Sequence, residues 1–353
     1  MTHHPRFAAS PVVASLRLQF LSYRIDVHTN SLRLATKIRS YFADYLAPED
    51  AGPATAHLSA VVGETEYDAS RLEVWSRASS PNRTPKESFY DDRGRRYILK
   101  NRTGVLITLG NDDATIEGDL RANANQVVNL IGTLFGLSLM RSGYVMLHAS
   151  AVVAKGSDDG MIFLGNSGSG KSSVALQLIE RGPYEYVSND RVLLRSTDGG
   201  VEMVGLPKKP RVNPGTLLAS KRLAGLVPAD KRRAYERLEP ADLWSLEDKH
   251  DVDVGESFGA RTRLVARLTH AYSLEWRPSG AGFESRQLDA EGAIAAMRVT
   301  AKDFGPYETA AAASDPTAEF ERIAARVPFT AIAGKAAPID FATMLATPEL
   351  PRP

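Results

Sequence analysis

The chain has 353 residues, of which 43% are hydrophobic and 24% are charged, and these are ordinary values for a globular protein. Its formal net charge of +1 gives no reason to expect nucleic acid or an anionic membrane as the main partner. The chain contains no cysteine, which excludes disulfides, thiolate catalysis and cysteine-based zinc sites.

The sequence shows no signal for secretion or for crossing a membrane. Its first twenty residues, MTHHPRFAASPVVASLRLQF, contain no apolar core followed by a small-residue cleavage site. The longest apolar helix candidate, residues 127–140, is shorter than a membrane span and contains Asn, Gly and Ser. We therefore expect a cytoplasmic protein.

The first part of the chain is predicted to form a small α+β unit. A helix over residues 31–46 is predicted to start at Asn30 or Ser31, which suit the capping position. Its buried face is predicted to hold Ala35, Ile38, Phe42 and Tyr45. The other predicted elements are strands at 12–27 and 57–64, a polar loop at 77–96, and a hairpin at 95–110 that turns at Thr103-Gly104.

The central region is predicted to alternate helices and strands. A helix over 123–142 precedes a strand over 144–154, in which alternate residues point to opposite faces. One face is predicted to hold Val145, Leu147, Ala149 and Ala151, and the other Met146, His148 and Ser150. The elements that follow are a strand at 161–165, a helix at 171–181 stopped by Gly182-Pro183, and a strand at 185–194.

The last part of the chain is more irregular. Residues 206–217 are rich in proline and basic residues, and the charged stretch 228–253 is predicted to be a helix and an exposed loop around Trp244. Strands at 264–276 and 327–334 and a helix within 308–325 are predicted to complete the domain.

A phosphate-binding loop is the strongest motif in the sequence. Residues 165–172, GNSGSGKS, match the pattern G-x-x-x-x-G-K-[ST] at every fixed position, between a predicted strand and a predicted helix. Its three glycines allow the positive φ values that an encircling loop needs. Lys171 is predicted to approach the β- and γ-phosphates, and the Ser172 hydroxyl to ligate Mg²⁺. The predicted nucleotide-binding residues are Gly165, Asn166, Ser167, Gly168, Ser169, Gly170, Lys171, Ser172 and Ser173.

Three segments around this loop, LHASAVV, GNSGSGKSSVALQLIERG and VSNDRVLL, resemble the catalytic domain of HPr kinase/phosphorylase. That bacterial serine kinase shares its nucleotide-binding architecture with phosphoenolpyruvate carboxykinase. The resemblance covers residues 144–194 and is strongest to HPr-kinase-related proteins that lack the phosphorylase's own N-terminal domain. The run GLPKKPRVNPGTL is also similar to the HprK-related kinase B subgroup.

The resemblance implies transfer of the γ-phosphoryl group of ATP to a hydroxyl, usually serine, of a protein acceptor. It also implies that His148 matches the family's histidine and that Asn189-Asp190 matches its paired aspartates, with a departure at the first member. The family's later glycine-rich signature, associated with the reverse phosphorolysis, is not recognisable here. The segment LPKKPRVNPG stands in its place, which leaves open both the reverse reaction and HPr as substrate.

Asp190 has three roles open to it: the base for an acceptor hydroxyl, a ligand of Mg²⁺ beside Ser172, or a solvated strand-end carboxylate. In an extended strand Asn189 and Asp190 would face opposite sides, so Asn189 could not simply replace its neighbour. We predict that Asp190 acts as the base, with Ser172 and Asp190 as the Mg²⁺ ligands. His148 is either a hydrogen-bonded core residue or a catalytic one.

The basic residues have competing interpretations. Arg211 would suit the developing charge on a transferring phosphoryl group, but Lys208, Lys209 and Arg211 could equally form a solvated loop or dock an acidic acceptor. Arg191 is expected to pair with Asp190. The remaining histidines show no metal-ligand spacing along the sequence, so no further protein metal site is predicted.

The predicted fold class is α/β with an α+β N-terminal part. Residues 1–120 would form the N-terminal domain and residues 121–353 a P-loop domain with a mixed, twisted sheet, as in HPr kinase and phosphoenolpyruvate carboxykinase. The preferred function is a protein-serine kinase that uses ATP and Mg²⁺. A kinase of a small hydroxyl metabolite or modified peptide and a non-catalytic ATP-sensing module are the alternatives. Acceptor recognition or homo-oligomerisation is the default role of the N-terminal domain.

Overall fold

The computed structural model describes residues 11–75, 85–277, 283–308 and 315–335. The α-helices within these residues are α1 Leu32–Tyr41, α2 Ala124–Arg141, α3 Lys171–Glu180, α4 Pro214–Leu218, α5 Ala229–Tyr235, α6 Pro240–Ser245, α7 Val254–Phe258, α8 Ala290–Thr300 and α9 Thr317–Ala324.

The strands of the first half of the chain are β1 Ala14–Phe20, β2 Tyr23–Thr29, β3 Ala56–Val62, β4 Glu73–Trp75, β5 Glu87–Asp92, β6 Arg95–Lys100, β7 Val105–Leu109, β8 Asp113–Gly118, β9 Val145–Leu147, β10 Ser150–Ala154 and β11 Asp159–Leu164. Those of the second half are β12 Tyr184–Ser188, β13 Val192–Thr197, β14 Gly200–Gly205, β15 Arg211–Val212, β16 His250–Asp251, β17 Val265–Arg277, β18 Phe283–Leu288 and β19 Phe329–Lys335.

The chain divides into two compact units. The first unit contains the chain up to Ser138 and a second segment that begins at Asp303. The second unit contains Leu139 to Lys302 together with α9 and β19. The division therefore falls in the last turn of α2, whereas the predicted boundary at residue 120 precedes that helix. Buried residues such as Phe135, whose ring lies 5.3 Å from that of Phe20, tie most of α2 to the first unit.

The first unit is built on a mixed sheet with the strand order β1-β2-β3-β8-β7-β6-β5-β4, in which β3 pairs in parallel with β2 and β8. The prediction of one strand over 12–27 was wrong, because β1 and β2 form an antiparallel hairpin. The hairpin turns at Leu21, whose φ of 55° is left-handed. Neither Leu21 nor Ser22 is a usual residue for that conformation, so the apolar alternation concealed the turn.

Several predictions for the first unit are confirmed. Ser31 caps α1 by accepting a hydrogen bond from the N–H of Leu34, and the predicted hairpin turns before Val105.

The predicted loop over 77–96 was too long, because β5 occupies residues 87–92 and pairs with both β4 and β6. Residues 76–84 of that loop lie outside the described residues.

The second unit is built on a second mixed sheet with the order β12-β10-β11-β17-β14-β13-β9, joined by β19 and β18. Strand β11 pairs antiparallel with β10 and parallel with β17. Alternate residues of β11 enter two different hydrophobic clusters: Phe163 packs with α3, and Leu164 packs with α8 and α9. Helices therefore cover both faces of this sheet, as an α/β arrangement requires.

Two predicted strands of the second unit are each interrupted in the structure. The predicted strand over 144–154 is β9 and β10 with a break at His148-Ala149, and the predicted strand over 185–194 is β12 and β13 with a break at residues 189–191. The breaks occur because the halves pair with different neighbours: β9 pairs with β13, whereas β10 pairs with β11 and β12. Asp190 consequently lies in a turn and not in a strand.

The end of the described chain agrees with the sequence analysis in part. Strands β17 and β19 correspond to the two predicted strands and pair in parallel, whereas β18 and α8 were not predicted. The predicted helix within 308–325 is α9, and residues 309–314 lie outside the described residues. No helix among the described residues is long and apolar enough to cross a membrane.

Candidate functional site: a phosphate loop beside an acidic turn

The predicted phosphate loop joins the end of β11 to the start of α3, at residues 165–170. Its three glycines have left-handed φ values of 137° at Gly165, 81° at Gly168 and 77° at Gly170, as predicted. A Cβ atom at Gly165 would come within 2.8 Å of the carbonyl oxygen of Leu274, so only glycine fits there. The loop is thus bent by its own sequence into the conformation that a phosphate cradle needs.

The loop ends where it can bind an anion. Gly170 is the N-cap of the ten-residue helix α3 and offers no side-chain acceptor to the N–H groups of the first turn. The N-terminus of a helix carries a partial positive charge, and its N–H groups point out along the axis. A phosphate group placed inside the loop would therefore meet several donors and a favourable field.

Lys171 is buried at the start of α3, and its Nζ donates hydrogen bonds of 2.8 Å to the carbonyl oxygens of Gly165 and Asn166. Burial lowers the pKa of Lys171 to about 8, although the negative charge of Asp190 opposes this change, and Lys302 lowers the pKa further. The ammonium group is therefore held inside the loop, where a bound phosphate would stabilise its charged form.

The turn at residues 189–191 lies directly against the phosphate loop. The hydroxyl of Ser172 donates a hydrogen bond of 3.2 Å to the carbonyl oxygen of Asn189. The hydroxyl of Ser150 donates a second hydrogen bond of 3.2 Å to the same oxygen. One backbone carbonyl thus joins α3, β10 and the turn, and Asp190 is the residue that follows it.

His148 and Asp190 meet because β9 and β13 are antiparallel neighbours. Leu147, the last residue of β9, pairs with Val192, the first residue of β13, so the segments just beyond these two residues lie side by side. Nδ1 of His148 lies 3.2 Å from Oδ1 of Asp190. The two residues singled out from the sequence motifs therefore form a pair at the ends of two strands.

Asp190 is half-exposed and carries a stable negative charge. Its partial burial raises its pKa, but the hydrogen bond from His148 and the positive charges of Arg191 and Lys208 outweigh burial and hold the pKa well below its usual range. The Arg191 guanidinium lies 3.9 Å from the carboxylate, which fits the predicted pairing. Asp190 is therefore ionised throughout the physiological pH range.

The Asn189 side chain has a structural role in the turn. Its Oδ1 accepts a hydrogen bond of 3.2 Å from the hydroxyl of Tyr186, and its Nδ2 donates one of 3.2 Å to the carbonyl oxygen of Arg211. An aspartate could accept the first bond but could not donate the second. The expectation that Asn189 and Asp190 face opposite sides of a strand no longer applies, because both lie in the turn.

Comparisons with known proteins add little to this geometry. No protein-family model matches the chain, and no curated protein sequence matches it either. Among solved structures, the Hpr(Ser) kinase/phosphatase from Coxiella burnetii is similar over 57% of this chain and 90% of its own, with 14% sequence identity and a TM-score of 0.29. A likeness with so low a TM-score supports no conclusion about fold or function.

The basic residues near the site differ in what they contact. Nε of Arg211 lies 2.8 Å from Asp251, and Nζ of Lys209 lies 2.6 Å from Asp253. Lys208 instead interacts with Asp190. Burial lowers the pKa of Lys208, and the negative charge of Asp190 partly offsets this decrease. Lys208 is therefore close enough to Asp190 for its positive charge to stabilise the carboxylate.

Two residues of the site were not predicted as functional. Ser150 was recognised only as part of the LHASAVV motif, and its hydroxyl turns out to bind the Asn189 carbonyl. Lys302 had no sequence signal, because it follows α8 and is distant from the motif. The segment after α8 lies along β9, and the N–H of Lys302 donates a hydrogen bond of 2.9 Å to the carbonyl oxygen of Met146. This contact brings Lys302 to the site.

The prediction that the remaining histidines form no metal site missed one juxtaposition. His28 of β2 and His57 of β3 lie in the first unit with Asp26, and their potential ligand atoms are all within 4.8 Å of one another. Spacing along the sequence could not reveal this cluster, because it is the pairing of β2 with β3 that brings the histidines together.

Proposed function

We propose that this chain is an ATP-dependent kinase that transfers the γ-phosphoryl group to a hydroxyl, most simply that of a serine in a protein acceptor. The observation that carries the proposal is the junction of the phosphate loop with the turn that holds Asp190, through the hydrogen bond from Ser172 to the Asn189 carbonyl. ATP is preferred to other nucleotides because of the resemblance of the motifs to HPr kinase.

The loop residues would bind the triphosphate. The N–H groups at the start of α3 would face the phosphate oxygens, and Lys171 would leave its two loop carbonyls to pair with the β- and γ-phosphates. Mg²⁺, held by the Ser172 hydroxyl and the Asp190 carboxylate, would neutralise charge on the phosphate oxygens when bound. Lys208, Lys302 and Arg211 are the nearby cations available to the transferred group, and Arg211 would first have to leave Asp251.

Asp190 would position the acceptor. The acceptor oxygen attacks the γ-phosphorus, the bond to the β–γ bridging oxygen breaks, and the hydroxyl proton passes to the Asp190 carboxylate. Because phosphoryl transfer has a loose transition state, orientation of the hydroxyl contributes more than early removal of its proton. An ionised carboxylate with a low pKa, fixed by His148, suits that role.

The proposal is tested by incubating the purified full-length chain with Mg²⁺ and ATP labelled at the γ-position, together with a lysate of the organism that encodes it. We expect one or a few labelled proteins, and no label with Lys171→Ala. Asp190→Asn should lower the rate of transfer by about 10²–10⁴-fold, because it removes the proton acceptor. Asp198→Asn, at an exposed carboxylate in the β13–β14 turn, is the matched control and should leave the rate unchanged.

The fractions that carry the label distinguish protein from metabolite acceptors. Label in protein supports the serine-kinase assignment, whereas label only in small molecules supports a kinase of a hydroxyl metabolite. Labelling that persists unchanged in both the Lys171 and Asp190 variants would mean that the transfer is due to a contaminating kinase, and the proposal would fail.

A non-catalytic ATP-sensing module is a second candidate, because the acidic turn contains one carboxylate and Arg211 is engaged by Asp251. A sensor would bind ATP tightly and would show no turnover with lysate or metabolites. Its ATP affinity would also be unchanged by Asp190→Asn when Mg²⁺ is absent. Measuring ATP affinity and label transfer on the same preparations separates the sensor from the kinase.

A further inference from the structure

A group of metal-ligating side chains lies on one face of the first sheet, away from the phosphate loop along the chain. It consists of Asp26 and His28 on β2 and His57 on β3, whose potential ligand atoms lie within 4.8 Å of one another. We define these three residues as the histidine cluster. Among the described residues it is the one place where three such ligands come together.

The strand register explains the cluster. Asp26 and His28 are two residues apart on β2, so their side chains share a face. His57 is the direct partner of Asp26 in the parallel pair of β2 with β3, which places it on the same face beside both residues. The rings of His28 and His57 are nearly parallel, at 11°, with their centroids 6.4 Å apart.

The partners of the cluster resemble the outer shell of a metal site. Nδ1 of His28 lies 2.8 Å from the hydroxyl oxygen of Ser15, which leaves its Nε2 for an ion. Asp26 accepts hydrogen bonds of 2.6 and 2.8 Å from Arg17, one on each carboxylate oxygen. Each oxygen retains a further lone pair, so Arg17 can orient the carboxylate while one oxygen coordinates.

The ligand chemistry selects the ion. Two imidazoles and one carboxylate suit a borderline divalent transition ion such as Zn²⁺, whereas Mg²⁺ and Ca²⁺ prefer oxygen ligands alone. Donors bound to Zn²⁺ lie about 2.0–2.2 Å from the ion, so any two of them are at most about 4.4 Å apart. His57 is the exposed member of the cluster, and movement of its side chain can close this small difference without disturbing the core.

We propose that Asp26, His28 and His57 form a binding site for a divalent transition-metal ion of the Zn²⁺ type, with at least one coordination position left for water. The ion would join β2 to β3 through side chains and would stabilise the first unit. This site shares no residue with the proposed Mg²⁺–ATP site and does not depend on it.

The test uses the full-length chain, stripped of metal with a chelator and dialysed. Zn²⁺ binding is measured by competition with a chromophoric chelator, and Co²⁺ is used as a spectroscopic probe of the ligands. We expect the unaltered chain to bind one equivalent of Zn²⁺ tightly and the His57→Gln variant to lose this binding. Ser15→Ala should weaken Zn²⁺ binding at least about tenfold, because loss of an outer-shell partner has that effect. A hundredfold excess of Mg²⁺ should not compete.

Two controls make the result specific. The variant His3→Ala/His4→Ala removes an adjacent histidine pair that lies outside the described residues, and Lys171→Ala removes the proposed phosphate ligand. Both should retain the Zn²⁺ equivalent, and the Co²⁺ visible bands should disappear only with changes in the cluster. Circular dichroism of each metal-free variant shows whether it is folded, and the exposed position of His57 makes its replacement the safest change.

Zn²⁺ should also raise the midpoint of thermal unfolding of the unaltered chain and leave that of His57→Gln unchanged, because a ligand that binds only the folded state stabilises it. The proposal is overturned if the folded His57→Gln variant binds Zn²⁺ as tightly as the unaltered chain. It is equally overturned if the unaltered chain binds no stoichiometric Zn²⁺, or if the equivalent is lost with the two N-terminal histidines.

Discussion

At the scale of single residues, the site depends on what sets the charges of Lys171 and Asp190. Asp190 is ionised because His148 and the neighbouring cations outweigh its partial burial. Lys171 has the opposite balance: burial lowers its pKa to about 8, and the charge of Asp190 only limits this change. The phosphate-binding ammonium group is thus partly deprotonated at mildly alkaline pH until an anion arrives.

This difference predicts that ATP binding takes up a proton. In the nucleotide-free chain about half of the Lys171 side chains are neutral at pH 8, because that pH is near the pKa. Bound phosphates raise the pKa, so we expect uptake of up to about half a proton per ATP at pH 8 and almost none at pH 7. Calorimetry in buffers of different ionisation enthalpy measures this uptake.

Lys171→Arg is the matched variant for this measurement, because a guanidinium group keeps its charge at every pH used. Its ATP binding should show no proton uptake at pH 8, even if the affinity is lower. Equal uptake by the unaltered chain and the arginine variant would show that another group titrates and that the Lys171 pKa is not lowered.

Asn189 illustrates a residue whose role changed once its surroundings were known. In the sequence it stood as a missing carboxylate of the HPr-kinase motif. In the structure its side-chain amide bridges the Tyr186 hydroxyl and the Arg211 carbonyl. Its backbone carbonyl oxygen accepts hydrogen bonds from the hydroxyls of Ser172 and Ser150. The asparagine therefore holds the turn in place, which is a task that needs both a donor and an acceptor.

At the scale of secondary structure, tight turns decide where several strands end. The hairpin of β5 and β6 turns over two residues, Arg93 and Gly94, with left-handed φ values of 47° and 73°. Such a turn favours Asn-Gly, because asparagine adopts positive φ more readily than a long side chain does. Arginine at the first position is therefore less favourable than asparagine would be.

We predict that Arg93→Asn stabilises the chain by a few tenths of a kcal/mol to about 1 kcal/mol, because the left-handed conformation of arginine costs roughly that much. Gly94→Ala should destabilise by about 1 kcal/mol, since no atom lies near its Cβ position and the effect is purely conformational. Both changes are measured by urea unfolding followed by circular dichroism. A destabilising Arg93→Asn would contradict the turn geometry.

At the scale of the whole molecule, the chain returns to its first unit after it has nearly completed the second. The returning segment begins at Asp303 and packs against β5 and β6. The Arg96 guanidinium is central to this contact, because it donates to the carbonyl oxygens of Pro306 and Glu308 and is paired with Asp91. The side chain of Lys100 lies over the ring of Tyr307.

We predict that Arg96→Ala weakens the first unit by about 2–3 kcal/mol, because hydrogen bonds to charged groups contribute about that much. Hydrogen exchange followed by mass spectrometry should show faster exchange in peptides of β5 and β6 and unchanged exchange in peptides of β11 and α3. Arg95→Ala is the matched control: Arg95 forms a partly exposed ion pair with Asp113, so its loss should cost less than about 1 kcal/mol. Equal effects of the two variants would contradict the proposed importance of the returning segment.

The sequence by itself determined the features that depend on neighbouring residues. The positive φ values of Gly165, Gly168 and Gly170, the capping of α1 by Ser31, the extent of α2 and the hairpin before Val105 all follow from local patterns, and the structure confirms them. Backbone conformation at a glycine and the periodicity of a helix are set within a few residues, so one sequence is sufficient to predict them.

Only the tertiary structure decided which residues meet. The breaks at His148-Ala149 and at 189–191 arise because strand halves pair with different partners, and they bring Asp190 to His148. Strand pairing likewise set His28 beside His57, and the segment after α8 brought Lys302 to the site. These contacts join residues far apart in the chain, and the periodicity of a strand does not specify its neighbour in the sheet.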